Sequence, residues 1–406
     1  MGYSYRSTFS KIEGDYQLKR NKILFFVILF FLAGCIGKQQ SITIEAPKVN
    51  IVTPTVSLIY PTASLAAPQV FVKTPEVSED SSLLGFNMLI RKTGEVSLRR
   101  EYQQKYYPVT VGTFLKFGDL ISPAVDTEAY VLCGDSTIEI IKKESSIPCN
   151  FKSPTYLYDN EVILRPRNTF SLKNLPYIVE PRSSLLYQAS FNIRWNPTGS
   201  NKYHVAIYNT DGVSGRNLIW EQDVINSNEL YFSDKDGSIN SQYVYWIEVV
   251  DENNKSSRED PTSSIGFRLL QQNEQEKVLL VIDSINSISI TDSEKAIVLA
   301  AYFFSHGLYY DALRELSNVS ITNPTPALYF WRARVMDAIA LPIDDVMKEY
   351  EKALEEAGKA GDIEMQASSH AFLWKLTRDA KNYDGAIELY KLLNDQITID
   401  ALTKTK

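Results

Sequence analysis

Side chains able to do chemistry are scarce here, and where they occur their spacing is wrong for catalysis. The 406 residues include three Cys and three His. His306 and His370 are far apart, without a Cys or an H-x-x-x-H partner, so packing is expected of them rather than metal ligation. His204 falls on the strand face opposite Val205, a solvated position. Gly212-Val213-Ser214-Gly215 lacks the G-x-S-x-G spacing that lifts a nucleophile onto a strand-to-helix turn, and it reads as a hairpin. Neither G-x-x-x-x-G-K-[ST] nor G-x-G-x-x-G occurs, which removes the usual phosphate cradles. Asp251-Glu252 and Glu355-Glu356 are adjacent pairs, whose carboxylates diverge instead of flanking a bond. The expectation is a protein that is not an enzyme, with no catalytic residue, no metal and no cofactor. A cluster of strongly shifted carboxylates in one deep pocket would revive the enzymatic alternative.

Formal net charge is −7. Without its first 34 residues the chain carries 37 basic and 47 acidic side chains. So acidic a remainder argues against a nucleic-acid partner, which requires a basic surface. The N-terminus has the opposite character. Lys19-Arg20-Asn21-Lys22 precedes an unbroken apolar run, Ile23 to Phe31, and then Leu32-Ala33-Gly34-Cys35. Basic, apolar, then small is the order of an export signal, and the run is about half the ~20 residues of a spanning helix. Leu-Ala-Gly-Cys resembles the lipobox of bacterial lipoproteins. The resemblance implies that residues 1–35 form a signal ending at Cys35, which becomes the lipidated N-terminus and ties the chain to the membrane. Ile36 in place of Asp points, by analogy, to the outer membrane facing the periplasm rather than the inner membrane. An uncleaved apolar anchor is the alternative. The long stretch before the basic cluster departs from the lipoprotein pattern and places the true start further down or makes residues 1–18 an extension.

The elements between this end and the C-terminus change in kind. Residues 36–82 carry Pro47, Pro54, Pro61, Pro68 and Pro75, seven apart, a spacing that forbids a helix and predicts an extended tether. Short edge strands are the alternative. Residues 83–155 alternate over Phe86–Ile90, Val96–Leu98, Thr113–Phe117, Ala129–Cys133 and Thr137–Ile141, punctuated by glycines, as in a small β-roll. Gly112, Leu115, Gly118-Asp119 and Gly134-Asp135-Ser136 resemble the pattern of FecR-like envelope domains. Cys133 and Cys149, sixteen positions apart, read as a disulfide in an exported chain, worth about 3 kcal/mol by loop closure; two free buried thiols are the alternative. Over 176–270, Phe191, Ile193 and Trp195 alternate up to Asn196-Pro197, then Tyr203, Val205 and Ile207, then Tyr243, Tyr245, Ile247 and Val249. This resembles a fibronectin type III or immunoglobulin-like sandwich. Trp220 and Trp246 read as sandwich packing, with an exposed aromatic surface for sugar or protein as the alternative.

Residues 272–406 shift to helix formers. Leu299, Ala300, Phe303, Gly307, Tyr309, Ala312, Leu316, Val319 and Pro324 resemble the signature of a tetratricopeptide repeat, with weaker copies over 325–358 and 363–396. The expected fold is therefore multidomain β plus α: a β-roll, a β-sandwich, then an α-helical solenoid. The resemblance maps an inward groove onto Phe304, Phe330, Arg334, Asp337, Lys375 and Arg378, suited to an extended peptide with an acidic group or C-terminal carboxylate. Ordinary solvated charge is the alternative. The whole arrangement is similar to a family of bacterial envelope lipoproteins of unassigned function. It implies a non-catalytic scaffold whose partner is an envelope protein or peptide, with a cell-wall glycan bound by the β-domains as the second reading.

Overall fold

A computed structural model describes residues 84–149, 174–210, 216–260, 266–319 and 325–405. Cys35, the signal at 1–35, the tether at 36–82, Pro324 and the Gly212–Gly215 stretch lie outside the described residues. The layout is β-rich and antiparallel first, followed by a run of eight helices.

The first β unit contains β1 (Asn87–Lys92), β2 (Val96–Arg99), β3 (Tyr107–Pro108), β4 (Phe114–Leu115), β5 (Leu120–Pro123), β6 (Ala129–Leu132), β7 (Ile138–Ile141) and β8 (Ser145–Ser146). They form two four-stranded sheets, ordered β4-β1-β6-β7 and β3-β2-β5-β8. Alternation places Leu89, Leu98, Leu115, Ile121 and Val131 in the core between the sheets. A disulfide joins Cys133 to Cys149 in that core, with Cα atoms 5.4 Å apart. In the turn after β6, Ser136 rather than Gly134 takes the left-handed conformation, φ 70°, and Asp135 Oδ1 accepts from Thr137 N at 3.0 Å.

The second β unit contains β9 (Ile178–Glu180), β10 (Ser184–Leu186), β11 (Phe191–Trp195), β12 (Lys202–Thr210), β13 (Arg216–Ile225), β14 (Glu229–Phe232), β15 (Val244–Asp251) and β16 (Phe267–Leu269). One sheet runs β14-β11-β9 and the other β10-β16-β15-β12-β13, with β10 parallel to β16. Trp195, fully buried, sets its ring 5.3 Å from Tyr203 in the shared core. β11 stops at Trp195, ahead of Pro197, which has no N–H for a ladder.

The helices are α1 (Gln272–Ser287), α2 (Asp292–Ser305), α3 (Tyr309–Asn318), α4 (Pro326–Ala338), α5 (Ile343–Ala360), α6 (Ile363–Thr377), α7 (Ala380–Leu392) and α8 (Gln396–Lys404). α2 opens on a capping box at Thr291 and Glu294; Thr325, Asp362 and Asp395 cap α4, α6 and α8. α2/α3, α4/α5 and α6/α7 are packed pairs, and the first helix of each pair touches the first helix of the next. The turns inside the pairs bend through left-handed residues: Gly307 at φ 73°, Ala340 at 54° and Arg378 at 58°. The second and third pairs therefore pay a backbone cost that glycine avoids in the first.

The three segments share one apolar core. Phe86, Met88, Ile90 and Phe114 of the first β unit, Leu185 and Tyr187 of the second, and residues of α1 to α4 belong to a single buried cluster. β1 is consequently buried on both faces, which is why Met88, Leu89 and Ile90 are all apolar. Gly112, at φ 93°, lies against the methyl groups of Ala327 and Ile297, where a side chain would collide. Phe114 meets Trp331 edge-on at 5.4 Å.

Candidate functional site

Of the six residues expected to line the groove, Phe304, Arg334, Asp337 and Lys375 stand on the C-terminal halves of α2, α4 and α6, Phe330 in the first half of α4 and Arg378 on the turn after α6. Phe304 ends α2, its ring 5.3 Å from Tyr309 and 5.4 Å from Trp331. Arg334 lies one turn beyond Phe330 on α4, and its guanidinium stands 5.2 Å from the Phe304 ring and 4.4 Å from the Phe372 ring. Lys375 Nζ lies 5.0 Å from that same Phe372 ring. Phe304, Arg334, Phe372 and Lys375 thus form one continuous half-buried strip across three first helices. Cations over aromatic faces are held by the ring quadrupole, by about 0.5–2 kcal/mol each.

Electrostatics distinguish the strip from ordinary surface charge. Burial, with Arg334 and Arg378 adding repulsion, pushes the Lys375 ammonium down to about 8, against the pull of Asp337. Two cations, Arg334 and Lys375, and the Asp337 carboxylate therefore share a partly desolvated place, with exposed Arg378 nearby, within a helical segment of 14 basic and 21 acidic residues. The surplus favours an anion.

Two members of the set have other duties. Phe330 packs between Tyr350, at 5.8 Å, and Phe372, at 5.7 Å, so it wedges the second pair against the third. Arg378 is exposed, stacks over Trp374 at 5.0 Å and donates to the Thr405 carbonyl at 3.2 Å. Phe372 was absent from the expected set. Its position three residues before Lys375 puts both on one helix face, a signal the sequence did carry.

The start of α6 and the end of α7 are covered by the first β unit, which the sequence reading did not foresee. Arg100 is 1% exposed and bonds Asp119 at 2.5 Å and Glu364, at the start of α6, at 2.6 Å. Thr110 donates through N and Oγ1 to Asp362 at 3.0 and 2.6 Å, and Tyr107 donates to the Leu392 carbonyl. The second β unit grips the C-terminal end of α4: Arg182 reaches the carbonyls of Ile339 and Ala340 at 2.7 and 3.1 Å while paired with Asp260 at 2.9 Å.

Three buried carboxyls bind protons more tightly than usual. Desolvation raises Asp119, Asp311 and Asp362; Asp119 and Asp362 share the junction of the first β unit with the start of α6, bonded there by Arg100 and Thr110, while Asp311 lies apart on α3. Among the described residues no group of His, Cys, Asp and Glu is placed to hold a metal. His306 bonds the Tyr302 carbonyl at 2.8 Å and is pushed down by burial, His370 bonds Asn382 at 2.9 Å, and exposed His204 bonds Asp223 at 3.0 Å. Trp220 and Trp246 do not share a surface. Trp220 pairs with buried Ile207 and packs on Phe232 inside the sandwich, whereas Trp246 pairs with Tyr208 on the outer face. No helix among the described residues is long and apolar enough to cross a membrane. The chain matches no protein-family model and no curated protein.

Proposed function

We infer that this chain is a non-catalytic envelope scaffold: a lipoprotein anchored at Cys35 whose helix pairs, of tetratricopeptide type, hold an acidic peptide segment of an envelope protein along Phe304, Arg334, Phe372 and Lys375. The β units serve as its FecR-like and fibronectin type III-like supports. The observation that carries this reading is the cationic strip itself, Arg334 and Lys375 set over the Phe372 ring in a segment otherwise rich in acid. The strand order β9-β11-β14 against β13-β12-β15-β16, with β10 parallel to β16, supports the sandwich assignment. The left-handed turns at the three matching pair junctions support the repeat assignment.

A photo-crosslinking residue at position 304, in the full chain in cells, is expected to capture one discrete envelope protein. Arg334→Glu with Lys375→Glu is expected to abolish the capture. Capture of nothing, or a product indifferent to charge reversal, contradicts the reading. Cys35→Ser is expected to release the protein from the membrane fraction; a variant that stays bound makes the apolar segment itself the anchor.

A further inference from the structure

On the outer face of the five-stranded sheet lies a cleft of about 100 Å³, walled by Tyr208, Trp246 and three arginines. Its acceptors are already engaged. Asp260 is paired with Arg182 at 2.9 Å, and Glu248 with Arg258 at 2.5 Å. Its donors are in surplus. Arg216, at the start of β13, sets its guanidinium 5.1 Å over the Trp246 ring and has no carboxylate partner among the described residues. Trp246 Nε1–H is shielded from solvent and bonds to no acceptor. Ser257 Oγ accepts from Val249 N at 3.0 Å, which leaves its own O–H to donate. A buried indole N–H gains nothing from water here, and one planar anion could take its proton and the guanidinium fork together.

We propose that this cleft is a binding site for a small organic carboxylate, received by Arg216, the Trp246 indole N–H and the Ser257 hydroxyl, with its body against the Tyr208–Trp246 wall. The site is separate from the cationic strip of the helices and does not depend on it. Its volume admits a carboxylate and a few attached atoms, with the rest of the molecule left at the mouth. A carboxylate suits it better than a phosphate, because a two-oxygen plane matches the guanidinium fork while Glu248 and Asp260 oppose a second negative charge.

The full chain, isotope-labelled at its five tryptophan indole nitrogens, is titrated with benzoate, with glucuronate and with inorganic phosphate. The indole resonance lost in Trp246→Phe is expected to shift saturably with one or both organic carboxylates. Arg216→Met is expected to weaken that response about tenfold or more while leaving the resonance in place. A ring-borne arene or sugar acid is then distinguished by whether benzoate or glucuronate binds more tightly. No shift with either carboxylate, an unchanged affinity in Arg216→Met, or phosphate binding as tightly as the carboxylates overturns the assignment.

Discussion

Arg100 shows how a single side chain can join two folding units. It is buried among Asp119, Glu364 and the Gln103 side chain, which accepts from its N–H at 2.9 Å. Removing a guanidinium from a buried pair strands the partner charge, a loss of about 3–5 kcal/mol. Arg100→Ala is expected to lower stability by that amount, and Asp119→Asn on the same background to recover part of it, as measured by denaturant unfolding. Additive losses in the double variant would contradict the pairing. Asp311 is the opposite case, a carboxyl whose Oδ2 has no partner and whose nearest cation, Arg314, is 3.4 Å away. Burial pushes it up to about 7. A raised carboxyl contributes stability that is present below its unfolded value near 4 and lost as pH rises through about 7. Asp311→Asn is therefore expected to stabilise by about 1–3 kcal/mol at pH 8 and by little at pH 4. A pH-independent difference would show that the carboxyl is not desolvated. Lys375 titrates near 8, so the strip loses positive charge above that pH. An acidic peptide should bind more weakly as pH rises from 7 to 9, and Lys375→Arg should remove that dependence.

At the scale of elements, periodicity made most of the fold legible. Phe191-x-Ile193-x-Trp195 and Tyr203-x-Val205-x-Ile207 became strands with those residues inward, and the helices of the first pair start and stop around Gly307. What alternation could not show was the two-residue strands β3 and β8, which are too short for a period. Nor could it show which units touch. Met88-Leu89-Ile90 breaks the in-out rule because its second face meets helices far along the chain, and local pattern does not encode such partners. Phe304, Arg334, Asp337 and Lys375 lie close together, whereas Phe330 wedges the second helix pair against the third and Arg378 turns to the C-terminal end. Gly112 tests the junction between elements. Gly112→Ala forces a positive φ on alanine and a methyl against Ala327. It is expected to cost about 1–3 kcal/mol and to raise amide exchange in β4 and at the start of α4. Unchanged protection in α4 would mean that the close approach carries no energy.

At the scale of the molecule, the shared core makes the three segments one cooperative unit. A chain cut after residue 270 would expose Phe86, Met88, Ile90 and Phe114, which now face α2 and α4. Such a fragment is expected to aggregate or to lack a cooperative transition, and the full chain to unfold in one step by fluorescence and circular dichroism alike. Separate transitions for the β and helical parts would contradict this.

The most direct measurement is equilibrium binding to the full chain of two peptides that differ only at the C-terminus, one a free carboxylate after acidic residues and one a neutral amide. The free acid is expected to bind at least about tenfold more tightly, and Arg334→Glu with Lys375→Glu to erase that preference. Equal affinity for the two peptides, or a preference that survives charge reversal, would contradict the assignment of the strip as the partner site.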